Sequence, residues 1–93
     1  MHRWKPMITE VSIDFKKKVN VDEDILKNIL ENDKEYEYDL DLFDCDKYTG
    51  KKYAHINVFS DEDQSLEDIQ YYIADMLYEH NINGVVCAYD RHL

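Results

Sequence analysis

Glu35-Tyr36-Glu37-Tyr38-Asp39-Leu40-Asp41-Leu42-Phe43 alternates charge with apolar bulk at each step, setting Tyr36, Tyr38, Leu40 and Leu42 against Glu35, Glu37, Asp39 and Asp41. A period of two is what a strand shows when one face meets a core and the other meets water. The stretch therefore reads as a strand with an acidic outer face. The connector after it, Asp44-Cys45-Asp46-Lys47-Tyr48-Thr49-Gly50, has turn chemistry, and Ala54, Ile56 and Val58 then alternate with Tyr53, His55, Asn57 and Phe59. Two alternating runs across a short polar turn make a hairpin.

On the N-terminal side, Met7, Thr9, Val11, Ile13 and Phe15 alternate with Glu10, Ser12, Asp14 and Lys16, which predicts a half-buried strand from Met7 to Val19. Asn20 followed by Glu23 is a variant capping box, and Ile25, Leu26, Ile29 and Leu30 form one stripe of a short helix ending near Asn32. Beyond the hairpin, residues 60–65 offer several helix N-caps. Leu66, Ile69, Ile73, Met76 and Leu77 then recur at helical spacing, with Gly84 as the stop signal and Val85–Tyr89 as a last short strand.

The order β-α-β-β-α-β predicts an α+β fold of the ferredoxin-like kind, a four-stranded antiparallel sheet in the order 4-1-3-2 with two helices on one face. The acidic strand falls at an edge and the other sheet face is open. The expected core is Val11, Ile13, Phe15, Ile29, Leu40, Ile56, Val58, Ile69, Ile73 and Leu77. A chain of 93 residues has room for one such core, so residues 1–93 are expected to form a single acidic α+β domain, with 1–6 flexible.

Hydrophobic residues make up 44% of the chain, too much apolar material for a disordered segment. No run approaches the ~20 apolar residues of a bilayer span, and Met1–Pro6 leads into an alternating segment where a signal peptide would continue apolar. The expected compartment is cytoplasmic. Cys45 and Cys87 lie in no Cys-x-x-Cys arrangement, and both are read as reduced thiols.

Charge narrows the partners. Eleven Lys and Arg against twenty-one Asp and Glu give a formal −10, which repels nucleic-acid backbones and anionic membranes and attracts basic surfaces. The acids form two blocks: residues 22–46 hold eleven acidic and two basic groups, and residues 60–80 hold seven acidic and none basic. Glu35, Glu37, Asp39 and Asp41 are expected at ~6.7 Å intervals along one strand face. Such a row guards an edge strand against aggregation, and it also resembles a nucleic-acid backbone. On the longer helix, Glu67, Asp68, Tyr71, Asp75, Tyr78 and Glu79 gather opposite the apolar stripe. An ordinary solvated face mixes signs to gain i,i+4 pairs, and exposed Tyr among acids suits an interface for a basic partner. Asp61 and Glu62 are expected to act as rim charges.

Lys51-Lys52-Tyr53-Ala54-His55-Ile56-Asn57-Val58 partly resembles the RNP1 strand of RNA-recognition-motif domains, which share this element order and stack bases on open-face aromatics. That resemblance implies an alternative module binding RNA, a peptide or a small ligand through Tyr53, His55 and Phe59. The pattern departs at Lys52, His55 and Val58, and Glu10 and Asp14 beside it oppose phosphate. His2, His55, His80 and His92 match no metal-ligand spacing, and Asp44 and Asp46 start a calcium-like loop that Tyr48, Thr49 and His55 break. No metal or cofactor is expected. No nucleophile signature or glycine-rich phosphate loop is present, and Arg3 and Arg91 are terminal, so the chain is expected not to be an enzyme.

Small size, acidity and tyrosine-studded acidic faces are similar to the DNA-mimic and anti-defence proteins of phages, anti-CRISPR inhibitors among them. That likeness of class implies an inhibitor, monomeric or dimeric, that imitates nucleic acid. It would occupy a basic surface of a nucleic-acid-processing enzyme and bind no nucleic acid itself.

Overall fold

The β-branched and aromatic runs pair as the alternation requires, and the two apolar stripes coil into helices that cover them. The computed structural model describes residues 7–16, 18–60 and 64–92. In chain order it has β1 (Met7–Phe15), α1 (Glu23–Asn32), β2 (Glu37–Cys45), β3 (Lys52–Ser60), α2 (Leu66–Glu79) and β4 (Gly84–His92). The strands form one sheet in the order β2-β3-β1-β4 with every adjacent pair antiparallel, which is the expected 4-1-3-2 read in reverse. Residues 1–6, expected to be flexible, and Asp61 and Glu62, expected as rim charges, lie outside the described residues.

Val11, Ile13 and Phe15 of β1, Ala54, Ile56 and Val58 of β3 and Val86 of β4 point into one cluster with Leu26, Ile29 and Leu30 of α1 and Ile69, Ile73 and Leu77 of α2. Nine of the ten expected core residues are buried there, while Leu40 on the edge strand is partly buried. Val21 and Ile82, which flank the helices, complete the cluster. No described helix is long and apolar enough to cross a membrane.

Local chemistry differs from expectation at both helix ends. Asp22, not Asn20, is the N-cap of α1, its carboxylate accepting from the Ile25 N–H at 2.8 Å. Ser65 caps α2 in the same way, accepting from the Asp68 N–H at 3.1 Å. The stop of α2 is Asn81 (φ 61°), not Gly84: the Ile82 N–H donates to the Leu77 carbonyl at 2.9 Å and the Asn81 N–H to the Tyr78 carbonyl at 3.0 Å. This is a Schellman closure, with buried Ile82 as its apolar contact. Gly84 instead opens β4, where an added Cβ would lie 2.8 Å from the Asp14 carbonyl oxygen.

Two bulges, one on each edge strand, decide which residues face which way. In β2, Leu40 pairs with Ile56 and Leu42 with His55, so Asp41 is an extra residue and the alternation shifts by one. Leu42, expected inward, is consequently outward and 48% exposed, while Phe43 turns in against Phe15 with ring centroids 5.9 Å apart. In β4, Glu10 pairs with Asp90 but Val11 with Ala88, leaving Tyr89 as the extra residue. Asp90 and His92 thereby join Tyr89 on the outward face. Arg91 goes inward opposite Thr9, its Nε and Nη2 buried without a hydrogen-bond partner among the described residues.

Candidate functional site

Asp33 follows the last turn of α1, where its charge meets the wrong end of the helix dipole. Hydrogen bonds compensate. The Tyr72 hydroxyl donates to Oδ1 at 2.5 Å, the Tyr38 hydroxyl donates to Oδ2, and the Tyr36 N–H donates to Oδ2 at 3.3 Å. Burial pushes the Asp33 carboxyl upward, but these donors outweigh it and hold the group below its ordinary range. The same contacts, together with burial as the first cause, raise both phenols well above the usual tyrosine value. Tyr36 sits edge-on to Tyr72 at 5.0 Å and to Tyr38 at 6.3 Å, and its hydroxyl donates to Gln64 Oε1 at 3.0 Å. One carboxylate thus ties the C-terminus of α1, the start of β2 and the middle of α2.

Two adjoining clefts meet at Asp33. The larger, about 490 Å³ between α1 and β2, is lined by Glu31, Asp33, Glu37 and Asp39 together with Tyr36, Tyr38 and Lys27. The second, about 410 Å³ between α1 and α2, is lined by Asp33, Asp75 and Glu79 with Tyr72 and His80. Six acidic residues therefore line this track, Glu37 and Asp39 bordering it from the edge strand with their register on the open sheet face, and Lys27 is the one Lys or Arg in its lining. Among the described residues the only Lys or Arg paired with a carboxylate is again Lys27, 3.9 Å from Glu23. Glu31, Glu37, Asp39, Asp75 and Glu79 have no ion-pair partner among the described residues.

The two expected acidic surfaces are placed differently. On α2, Glu67, Asp68, Tyr71, Asp75, Tyr78 and Glu79 are all exposed, with Tyr71 at 61% and Tyr78 at 73%. On β2 the four-acid ladder is broken. Glu35 precedes the strand, Glu37 and Asp39 stand opposite Phe59 and Asn57, and Asp41 leaves the ladder at the bulge, where its carboxylate lies 3.0 Å from His55 Nδ1.

Of the expected open-face residues, Tyr53, His55 and Phe59 share the outward side of β3, but His55 alone belongs to a network. Its Nε2 lies 2.5 Å from the Tyr89 hydroxyl and 3.3 Å from Glu10 Oε1, and the Tyr89 hydroxyl donates to Glu10 Oε1 at 3.3 Å. The other Glu10 oxygen is held by His92 Nε2, which lies 3.5 Å from Asp90 Oδ2. The His92 hydrogen bond is the main cause that keeps Glu10 below its ordinary range, and Glu10 in turn raises His92. Glu10, Asp90 and His92 each offer one ligand atom, all within 4.8 Å of one another, a donor set able to hold a metal ion.

Sequence reasoning found Glu37, Asp39, Asp75 and Glu79 of the cleft lining and missed Asp33, Glu31 and Tyr72. The alternation of Tyr36 and Tyr38 placed their rings inward, yet no local spacing signals that the Tyr38 and Tyr72 phenols and the Tyr36 N–H converge on the residue closing α1. No family model, curated protein or solved structure matches the chain in comparisons of sequence and fold.

Proposed function

We propose that this chain is a non-enzymatic, acidic binding protein that docks on a basic protein surface and thereby excludes nucleic acid from it, built on a ferredoxin-like framework with both helices on one sheet face. The single observation behind this reading is the track of two clefts around Asp33, whose lining holds six acidic residues, several tyrosines and one lysine. Acidic residues grouped along one track with a single lysine among them repel one another, and a partner's Arg or Lys side chains would relieve that repulsion. Tyrosine rings beside them add stacking and cation-π contact for Arg. The exposed Tyr71 and Tyr78 on α2 extend the same chemistry beyond the clefts.

The test is binding to basic nucleic-acid-processing enzymes at increasing salt, with DNA or RNA as competitor. Binding should weaken steeply between low and physiological ionic strength, because Coulomb attraction at such a surface is screened over ~8–10 Å. Glu37→Lys with Asp39→Lys, and separately Asp75→Lys with Glu79→Lys, should each weaken it by about 2–5 kcal/mol. A cognate partner whose binding survives both reversals and is indifferent to saturating nucleic acid would sink the proposal. The surface around Tyr53, His55 and Phe59 would then be the next candidate.

A further inference from the structure

We infer that Glu10, Asp90 and His92 form a binding site for a divalent first-row transition metal of the zinc class, on the sheet face that carries His55. The inference is independent of the acidic clefts. It starts from the β4 bulge at Tyr89, which turns Asp90 and His92 to the same side of the sheet as Glu10. Bulges recur next to functional sites because they re-aim side chains in this way. The re-aiming sets Glu10 and Asp90 directly opposite each other on paired strands, an arrangement that repels when both are charged. Arg91, between Asp90 and His92, points to the other side, so the basic groups paired with these two carboxylates among the described residues are the imidazoles of His92 and His55.

The donor set fits a borderline cation. One imidazole nitrogen with two carboxylates suits zinc and its first-row neighbours, whereas calcium takes six to eight oxygens and magnesium a near-octahedral oxygen shell. The His92 Nε2 to Asp90 Oδ2 separation is 3.5 Å, near the ~3.3 Å between donors on a tetrahedral zinc with ~2.0 Å bonds. A metal seated there would replace the direct His92–Glu10 hydrogen bond and leave its fourth position to water.

A supporting layer is already in place. The Tyr89 hydroxyl lies 2.5 Å from His55 Nε2 and donates at 3.3 Å to the Glu10 oxygen that does not meet His92, and the Asp41 carboxylate lies 3.0 Å from His55 Nδ1. A hydrogen-bonded chain of this kind, ending on a ligating carboxylate, fixes that carboxylate's orientation. Asp41 reaches His55 because of the β2 bulge, so the bulges on both edge strands supply one layer each.

Calorimetric titration of the full chain with Zn²⁺ in a non-chelating buffer tests this. One saturable site is expected, weakened at least tenfold in Asp90→Asn and in His92→Ala, unchanged in His80→Ala and His2→Ala, and not displaced by millimolar Mg²⁺ or Ca²⁺. Since Asp90 and His92 are exposed, both variants should keep the metal-free wild-type circular dichroism spectrum. On the wild-type chain, ¹⁵N spectra of the imidazoles should show His92 shifting on Zn²⁺ addition while His80 does not. Absence of a saturable site, equal affinity in Asp90→Asn and His92→Ala, loss of binding in His2→Ala, or an unmoved His92 resonance would each overturn the assignment.

Discussion

Replacing Asp33 by Ala should destabilise the fold by about 2.5–3 kcal/mol, although the residue lies in no strand or helix. Its carboxylate accepts from two tyrosine hydroxyls and from the Tyr36 N–H. A buried hydrogen bond to a charged acceptor is worth about 1.5–3 kcal/mol, but here the carboxylate is half-buried and freed hydroxyls regain water, so the lower end applies to each phenol. The longer Tyr36 contact adds about 0.5 kcal/mol on the same scale, and relief of the unfavourable helix dipole returns about 0.3–1 kcal/mol. Against a total of about 5–14 kcal/mol for a chain of this length, the loss is large. Urea unfolding followed by circular dichroism should show a lower midpoint with an unchanged slope. Asp33→Asn, which keeps an acceptor and the shape, should lose about half as much, and Tyr38→Phe or Tyr72→Phe about 1 kcal/mol each, with strong coupling to Asp33 in a double-mutant cycle. The pH dependence has a definite sign. Because the folded carboxyl titrates below its ordinary 3.8, its contribution is present above that pH and is lost as pH falls through the depressed folded value. The gap between wild type and Asp33→Asn should therefore narrow in that acid range. An unchanged midpoint in Asp33→Ala, or a gap constant from neutral pH to below the folded value, would refute the hub.

Ile56→Ala and Ile73→Ala remove fully buried side chains on facing layers, and each should cost about 2–5 kcal/mol in the same unfolding assay. Asn81 holds the left-handed conformation that closes α2, so Asn81→Ala should lower stability by about 1 kcal/mol while Asn81→Gly leaves it equal or higher. Cys45 and Cys87 lie on β2 and β4 at opposite sheet edges, three inter-strand spacings or ~14 Å apart. That is far beyond bridging range, and mass spectrometry without reductant should find the monomer with both thiols free.

The six elements, their order and most of the core follow from periods of 2 and 3.6 that each segment records in its own residues. Val11, Ile13 and Phe15, or Ile69, Ile73 and Leu77, announce their buried face without reference to anything else in the chain. The exposure of the acids on α2 was legible for the same reason. Strict alternation misled at Leu42, where a single residue was inserted against the partner strand, and the last strand, read only to Tyr89, runs on to His92. Nothing in Leu40-Asp41-Leu42-Phe43 or Ala88-Tyr89-Asp90-Arg91-His92 marks a bulge, since it arises from the fit between two strands distant in sequence. One inserted residue flips every side chain after it. Phe43 went into the core and Leu42 out, and Asp90 and His92 came to face Glu10. The convergence of Tyr38 and Tyr72 on Asp33 is of the same kind. Tyr72 lies 39 residues from Asp33 and meets it only when α2 lies beside the start of β2, so the complete hub, and the acidic clefts that meet there, exist only in the tertiary structure.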